Sequence, residues 1–150
     1  MFIRLPDIRG LNWMDNRIAI KFRDLRNKNQ KALITFLTAG DPDIDTTFKV
    51  VEEMIDNGID ILEIGIPFSD PLAEGPTIEK ASYRALAGNT TTDDVFSLVK
   101  KLRNDHELPI LLMLYVNLIY KYGIEKFMKR CRDVGVDGLI IPDLPFEEVE

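Results

Sequence analysis

Residues 61–76 read ILEIGIPFSDPLAEGP. The first part is an apolar, strand-like run interrupted by a single carboxylate, Glu63. The second is a loop with Pro67, Pro71 and Pro76 and two more acids, Asp70 and Glu74. An apolar strand needs no glutamate to fold, and burying one without a partner costs several kcal/mol or drives its pKa upward. Packing does not account for Glu63. The loop is also long: twelve residues from Gly65 to Pro76 exceed an ordinary strand-to-helix connection.

The same alternation of strand and helix extends in both directions. Met14, Ile18, Phe22 and Leu25 recur about once per helical turn, which predicts an amphipathic helix capped by Asp15 or Asn16. A short strand over Ala32–Leu37 is broken by Gly40 and Pro42. A second helix opens at Asp45-Thr46-Thr47 and ends at Gly58, and IDILEIG follows as a strand. After the proline-rich loop come helices over Thr77–Leu86 and Thr92–Asn104. PILLMLYVN is the third strand, Ile124–Asp133 a helix, and VDGLIIPD the fourth strand. Short strands alternating with amphipathic helices imply parallel βαβ units.

A faint internal echo narrows the architecture. Gly58-Ile59-Asp60-Ile61-Leu62-Glu63-Ile64 parallels Gly135-Val136-Asp137-Gly138-Leu139-Ile140-Ile141, and each run leads to a Pro-Phe-acid loop. Glu63 falls opposite Ile140, so the repeat accepts an aliphatic residue where the glutamate sits. The turn after the first strand, TAGDPD, has neither a dinucleotide-binding glycine pattern nor a P-loop. Acids gather instead at the C-terminal ends of strands, at Asp41, Glu63, Asp70 and Asp143, the end where (β/α)₈ barrels place their active sites. The expected class is α/β, of the parallel (β/α)₈ TIM barrel family. Only the first four βα units, half a barrel, lie within these 150 residues. Residues 1–13 form an N-terminal extension without clear periodicity, and 14–150 the half barrel.

Composition bounds the function. The net charge of −6 comes with interspersed acids and bases, and the absence of a basic stripe argues against nucleic acid. One histidine, His106, and one cysteine, Cys131, provide no metal-ligand set and no internal disulfide. No long apolar segment suits a membrane span or a signal peptide, so a soluble, cytoplasmic protein is expected.

LEIGIPFSDPLAEGPTI, at 62–78, closely resembles the signature of the tryptophan synthase α chain. FLTAGDPD, LMLYVNLIYKYGIEKF and GVDGLIIPDLPFEE extend the resemblance in register from about Met14 to Glu150. It implies a lyase that cleaves indole-3-glycerol phosphate to indole and glyceraldehyde 3-phosphate in tryptophan biosynthesis. It further implies an α2β2 heterotetramer with a pyridoxal-phosphate-dependent β chain, the cofactor belonging to that β chain and none to this one. By resemblance, Glu63 is the catalytic acid/base that protonates indole C3. Glu74 is the second carboxylate, accepting the indole N–H, where family members most often carry Asp. Phe36, Met113, Tyr115 and Ile140 match positions lining the indole pocket. Asp143 either hydrogen-bonds neighbouring active-site groups or caps the following helix. Pro67, Asp70, Asn117 and Pro145 match positions at the β-chain interface.

The family's phosphate grip lies in the second half of the barrel, as barrel phosphate sites commonly do. Residues 1–150 alone are therefore expected to be inactive. Strands one and four are expected to be unpaired edges, and the biological chain is expected to continue past Glu150. Two alternatives stand beside the paired lyase: a catalytically incompetent α chain acting only as a binding or allosteric partner, and a stand-alone indole-glycerol-phosphate lyase.

Overall fold

The computed structural model describes residues 2–4, 16–71 and 74–144. Eleven elements follow in chain order: β1 (Phe2–Arg4), α1 (Arg17–Asn27), β2 (Ile34–Thr38), α2 (Ile44–Asp56), β3 (Ile61–Gly65), α3 (Pro76–Ala87), α4 (Thr92–Leu102), β4 (Ile110–Met113), α5 (Val116–Tyr122), α6 (Ile124–Val134) and β5 (Gly138–Ile140). One sheet has the strand order β1-β5-β4-β3-β2, with β2 to β5 parallel and β1 antiparallel to β5. The four parallel strands with their crossover helices are the expected half barrel.

Local chemistry sets most helix boundaries. The side chain of Asn16 accepts from the Ala19 amide at 2.7 Å and starts α1. Asp43 does the same for the Thr46 amide at 2.7 Å, so α2 begins at Ile44, one residue before the expected Asp45. Thr91 and Asp94 form a reciprocal capping box at α4. Gly135 ends α6 in the left-handed region, at φ 84°.

Strand register divides the side chains between two faces. Leu62, Ile64, Ile110, Leu112 and Leu139 point to the helices and pack in one core with Val95, Phe96, Val99, Phe127 and Cys131. Phe96 and Phe127 meet with ring centroids 5.3 Å apart. Burial pushes the Cys131 thiol up to about 12, which leaves it an inert packing residue. The opposite face carries Phe36, Glu63, Leu111 and Gly138 in one lateral row, and Thr38, Gly65, Met113 and Ile140 in the next. In a parallel barrel this second face is the interior.

The starts of the strands are tied by two aspartates at matching places in the internal echo. The Asp137 carboxylate accepts from the Ile110 amide at 2.8 Å, from Arg103 at 2.5 Å and from Arg17 at 3.1 Å. Arg103 also donates to the carbonyls of Gly135 and Leu108, and burial holds its pKa below the ordinary arginine value. Asp60 accepts from the Leu33 amide at 2.9 Å and from Lys21 at 3.4 Å. Each aspartate thus joins the start of its strand to the preceding strand, beside a cation.

The structure departs from the sequence reading in two places. Phe2–Arg4, read as extension, forms a strand whose register with β5 is Phe2↔Ile140, Ile3↔Leu139 and Arg4↔Gly138, so the fourth parallel strand is not an open edge. The third strand stops at Met113, and Val116 opens a helix inside the run read as strand. Met14, Asp15 and Pro145 lie outside the described residues.

Candidate active site

The site forms where the inner face of the sheet reaches the C-terminal ends of β2, β3 and β4. Glu63 sits mid-strand in β3, half-buried, with Phe36 on one side and Leu111 on the other. No hydrogen-bond partner meets its carboxylate among the described residues, and desolvation by burial alone holds its pKa above the ordinary glutamate value. Of the acids on this face, it is the one whose proton is favoured by burial alone.

The next row, Thr38, Gly65, Met113 and Ile140, has its gap at the glycine. Gly65 ends β3, and a Cβ there would meet the Phe36 ring at 2.7 Å, so the glycine makes room for that ring. Above the row lies a cavity of about 10 Å³, bounded by Phe36, Gly65, Met113, Tyr115, Glu74 and Phe68 among others. Tyr115 N-caps α5 and is 3% exposed. Its hydroxyl hydrogen-bonds the Glu74 carboxylate, and its ring stacks on Phe68 with centroids 4.9 Å apart and planes 25° apart. A buried phenol wants a polar partner, and here Glu74 supplies one. An ionised carboxylate has lone pairs for more than one donor, so this contact leaves Glu74 able to accept another N–H.

A further match settles the family. The sequence profile described as "Tryptophan synthase alpha chain" matches residues 22–150. The chain belongs to that family. Among its relatives is the tryptophan synthase alpha chain of Caldanaerobacter subterraneus subsp. tengcongensis, 54% identical over 133 residues, or 89% of this chain and 51% of that one. Two solved structures share the fold closely. The tryptophan synthase subunit alpha of Legionella pneumophila str. Paris superposes with a TM-score of 0.87 at 42% identity, over 90% of this chain and 52% of that one. A structure from Aquifex aeolicus VF5 gives 0.86 at 48% identity, over 89% and 53%. The tryptophan synthase complex of Pyrococcus furiosus contains a chain that gives 0.72 at 42% identity, over 76% and 47%. The chain spans about half the length of the curated relatives it matches. Tryptophan synthase alpha chains are a lyase family of tryptophan biosynthesis, and their TIM barrel is the architecture of which this sheet is one half.

Of the residues singled out by the tryptophan synthase resemblance, the structure gathers Phe36, Glu74, Met113 and Tyr115 around one cavity. Glu63 and Ile140 share their sheet face, Glu63 one row nearer the strand starts and Ile140 beside Met113. The Asp143 carboxylate accepts from the Val116 amide at 2.9 Å, at the start of α5 and next to Tyr115. A cap on the following helix would involve residues 145–150, which lie outside the described residues.

At the expected interface, Asp70 and Asn117 are exposed, with the Ser69 hydroxyl donating to Asp70 at 2.6 Å. Pro67 is buried in the chain by itself, at the end of the apolar run through Ile66. Asp41, counted among the acids at the strand ends, is taken by a two-pronged bond from Arg84 at 2.7 Å on each oxygen. Sequence reasoning missed Gly65 and Phe68. A glycine closing a buried strand and a phenylalanine inside a polar loop were the available signals. No helix among the described residues is long and apolar enough to cross a membrane, and no cluster of three or more potential metal ligands occurs among them.

Proposed function

We propose that this chain carries the acid–base pair of an indole-3-glycerol phosphate lyase, Glu63 as proton donor to indole C3 and Glu74 as acceptor of the indole N–H. The observation that carries the reading is the position of Glu63: on the inner sheet face, between Phe36 and Leu111, with no partner among the described residues. The structural carboxylates beside these strands are paired, as Asp60 and Asp137 are at the starts of β3 and β5.

In the retro-aldol step, the Glu63 proton adds to indole C3 while Glu74 holds the ring N–H and stabilises the positive charge that spreads onto the ring. The bond between C3 and the glycerol carbon then breaks, and its electrons return to the indole. The Glu63 carboxylate, having given its proton to C3, takes up the proton of the hydroxyl on that carbon, which becomes the aldehyde of glyceraldehyde 3-phosphate. General acid–base assistance of this kind contributes about 10²–10⁴-fold. Glu74 is one methylene longer than the family's usual Asp, and the Tyr115 hydroxyl is what fixes where its carboxylate sits. The reaction takes place in the cytoplasm and needs no cofactor from this chain. Pyridoxal phosphate belongs to the β chain, which docks over the open strand ends near Asp70 and Asn117 in an α2β2 assembly. The complex solved from Pyrococcus furiosus supports an assembly of this type.

The half-length match favours a second reading. The family's phosphate grip lies in the other half of the barrel, so residues 1–150 by themselves act only as a binding or allosteric partner of the β chain, with negligible turnover. Steady-state cleavage of indole-3-glycerol phosphate, with and without β chain, separates the readings. Cleavage by the full-length protein that rises with β chain and falls at least about 100-fold in Glu63→Gln supports the lyase. Undiminished cleavage by Glu63→Gln refutes it. Full activity without β chain points to a stand-alone lyase.

A further inference from the structure

Phe68 has no part in the proton transfers above, yet it touches the most buried aromatic of the site. The Tyr115 hydroxyl is engaged by Glu74 and its ring is covered by Phe68. A ring face stacked on one aromatic is closed to another. The cavity beneath, about 10 Å³, has room for about one water molecule and none for the fused rings of an indole.

Space must therefore come from one of the walls. Gly65 and Met113 lie in the parallel ladder between β3 and β4, with the Ile66 amide bonded to the Met113 carbonyl at 2.9 Å. Tyr115 is held from behind by the Asp143–Val116 bond. Phe68 differs from these. It is half-buried and is followed directly by the exposed residues Ser69 and Asp70. Rotation about its own side-chain torsions would move the ring out while the buried Pro67 stays in place.

We propose that Phe68 is an internal competitor for the aromatic subsite: in the empty protein its ring covers Tyr115, and the indole ring of the substrate displaces it. This rests on the lyase reading for the identity of the ligand. Apparent affinity is then lowered by the fraction of molecules in which Tyr115 is covered, and a side chain that cannot stack removes that penalty. Until a ligand arrives, the same contact limits the access of water to the Tyr115–Glu74 pair.

The test uses the full-length protein and indole itself as probe. In the free protein, nuclear Overhauser effects connect the ring protons of Phe68 and Tyr115, and saturating indole abolishes them. Phe68→Leu, which keeps apolar volume but cannot stack, binds indole about three- to tenfold more tightly in calorimetric titration. Persistence of the ring–ring effects in the indole complex overturns the proposal. So does a Phe68→Leu variant that binds no more tightly, or a protein to which indole does not bind. The lyase reading is judged separately, by cleavage of indole-3-glycerol phosphate. Displacement without cleavage refutes the lyase and leaves the competitor standing, whereas cleavage with Phe68 still stacked does the reverse.

Discussion

The two ends of the parallel sheet treat their acids in opposite ways. At the strand starts, Asp60 and Asp137 are saturated with donors, each accepting a backbone amide from the neighbouring strand and a cationic side chain. Toward the strand ends, Glu63 meets no partner among the described residues, and Glu74 is met by a single phenol. The same residue class, in repeats of one sequence pattern, holds the fold together at one end and is left chemically available at the other. Barrel folds separate stability from activity along the strand axis in this way.

That contrast is broken most forcefully at Asp137. Asp137→Ala leaves Arg103 buried without its counter-charge and the Ile110 amide without its acceptor, since both ionic side chains are under a tenth exposed. The expected loss is about 3–5 kcal/mol in urea denaturation. A loss below about 1 kcal/mol would mean that the strand starts are not what the aspartates hold.

Gly65→Ala tests the other end. The new methyl group meets the Phe36 ring, and overpacking of this kind costs about 1–3 kcal/mol. It also crowds the cavity, so ligand binding should fall with stability. Unchanged binding would separate Phe36 from the site. Asp60→Ala is milder than Asp137→Ala, because the Leu33 amide and Lys21 are more exposed. About 1 kcal/mol is expected from the lost acceptor, and an effect equal to that of Asp137→Ala would deny the difference in burial.

The smallest effect is the most diagnostic. Burial raises the Glu63 pKa in the folded state, so the folded protein favours the protonated form. Any stability this gives is complete below the unfolded-state value of about 4.3 and is lost as pH rises through the raised folded value. Glutamine imitates the protonated acid at every pH. Glu63→Gln should therefore match the wild type in acid and become the more stable of the two towards neutral pH, as read from paired urea titrations. A variant less stable than the wild type at neutral pH would mean that Glu63 is a paired structural acid after all.

Much of this contrast was legible in the sequence because its signals are local. Glu63 stands out as a charge in an aliphatic strand, and Asn16 is a helix cap whose donor, the Ala19 amide, lies three residues on. What escaped depends on distant partners. The start of α5 inside the apolar run PILLMLYVNLIY is fixed by Asp143, 27 residues downstream of Val116. The β1 strand has only three residues and pairs with the far end of the chain, so no periodicity announces it. The space kept by Gly65 exists because a ring from β2 leans over it, and Phe68 acquires its meaning only once Tyr115 is beneath it.

The central claim is that partial burial, with no partner offered in exchange, raises the Glu63 pKa above that of an ordinary glutamate. Carbon-13 titration of its side-chain carboxyl, assigned by comparison with Glu63→Gln, measures this directly. The predicted midpoint lies above that of the exposed glutamates in the same spectrum. A midpoint at or below theirs would contradict the account.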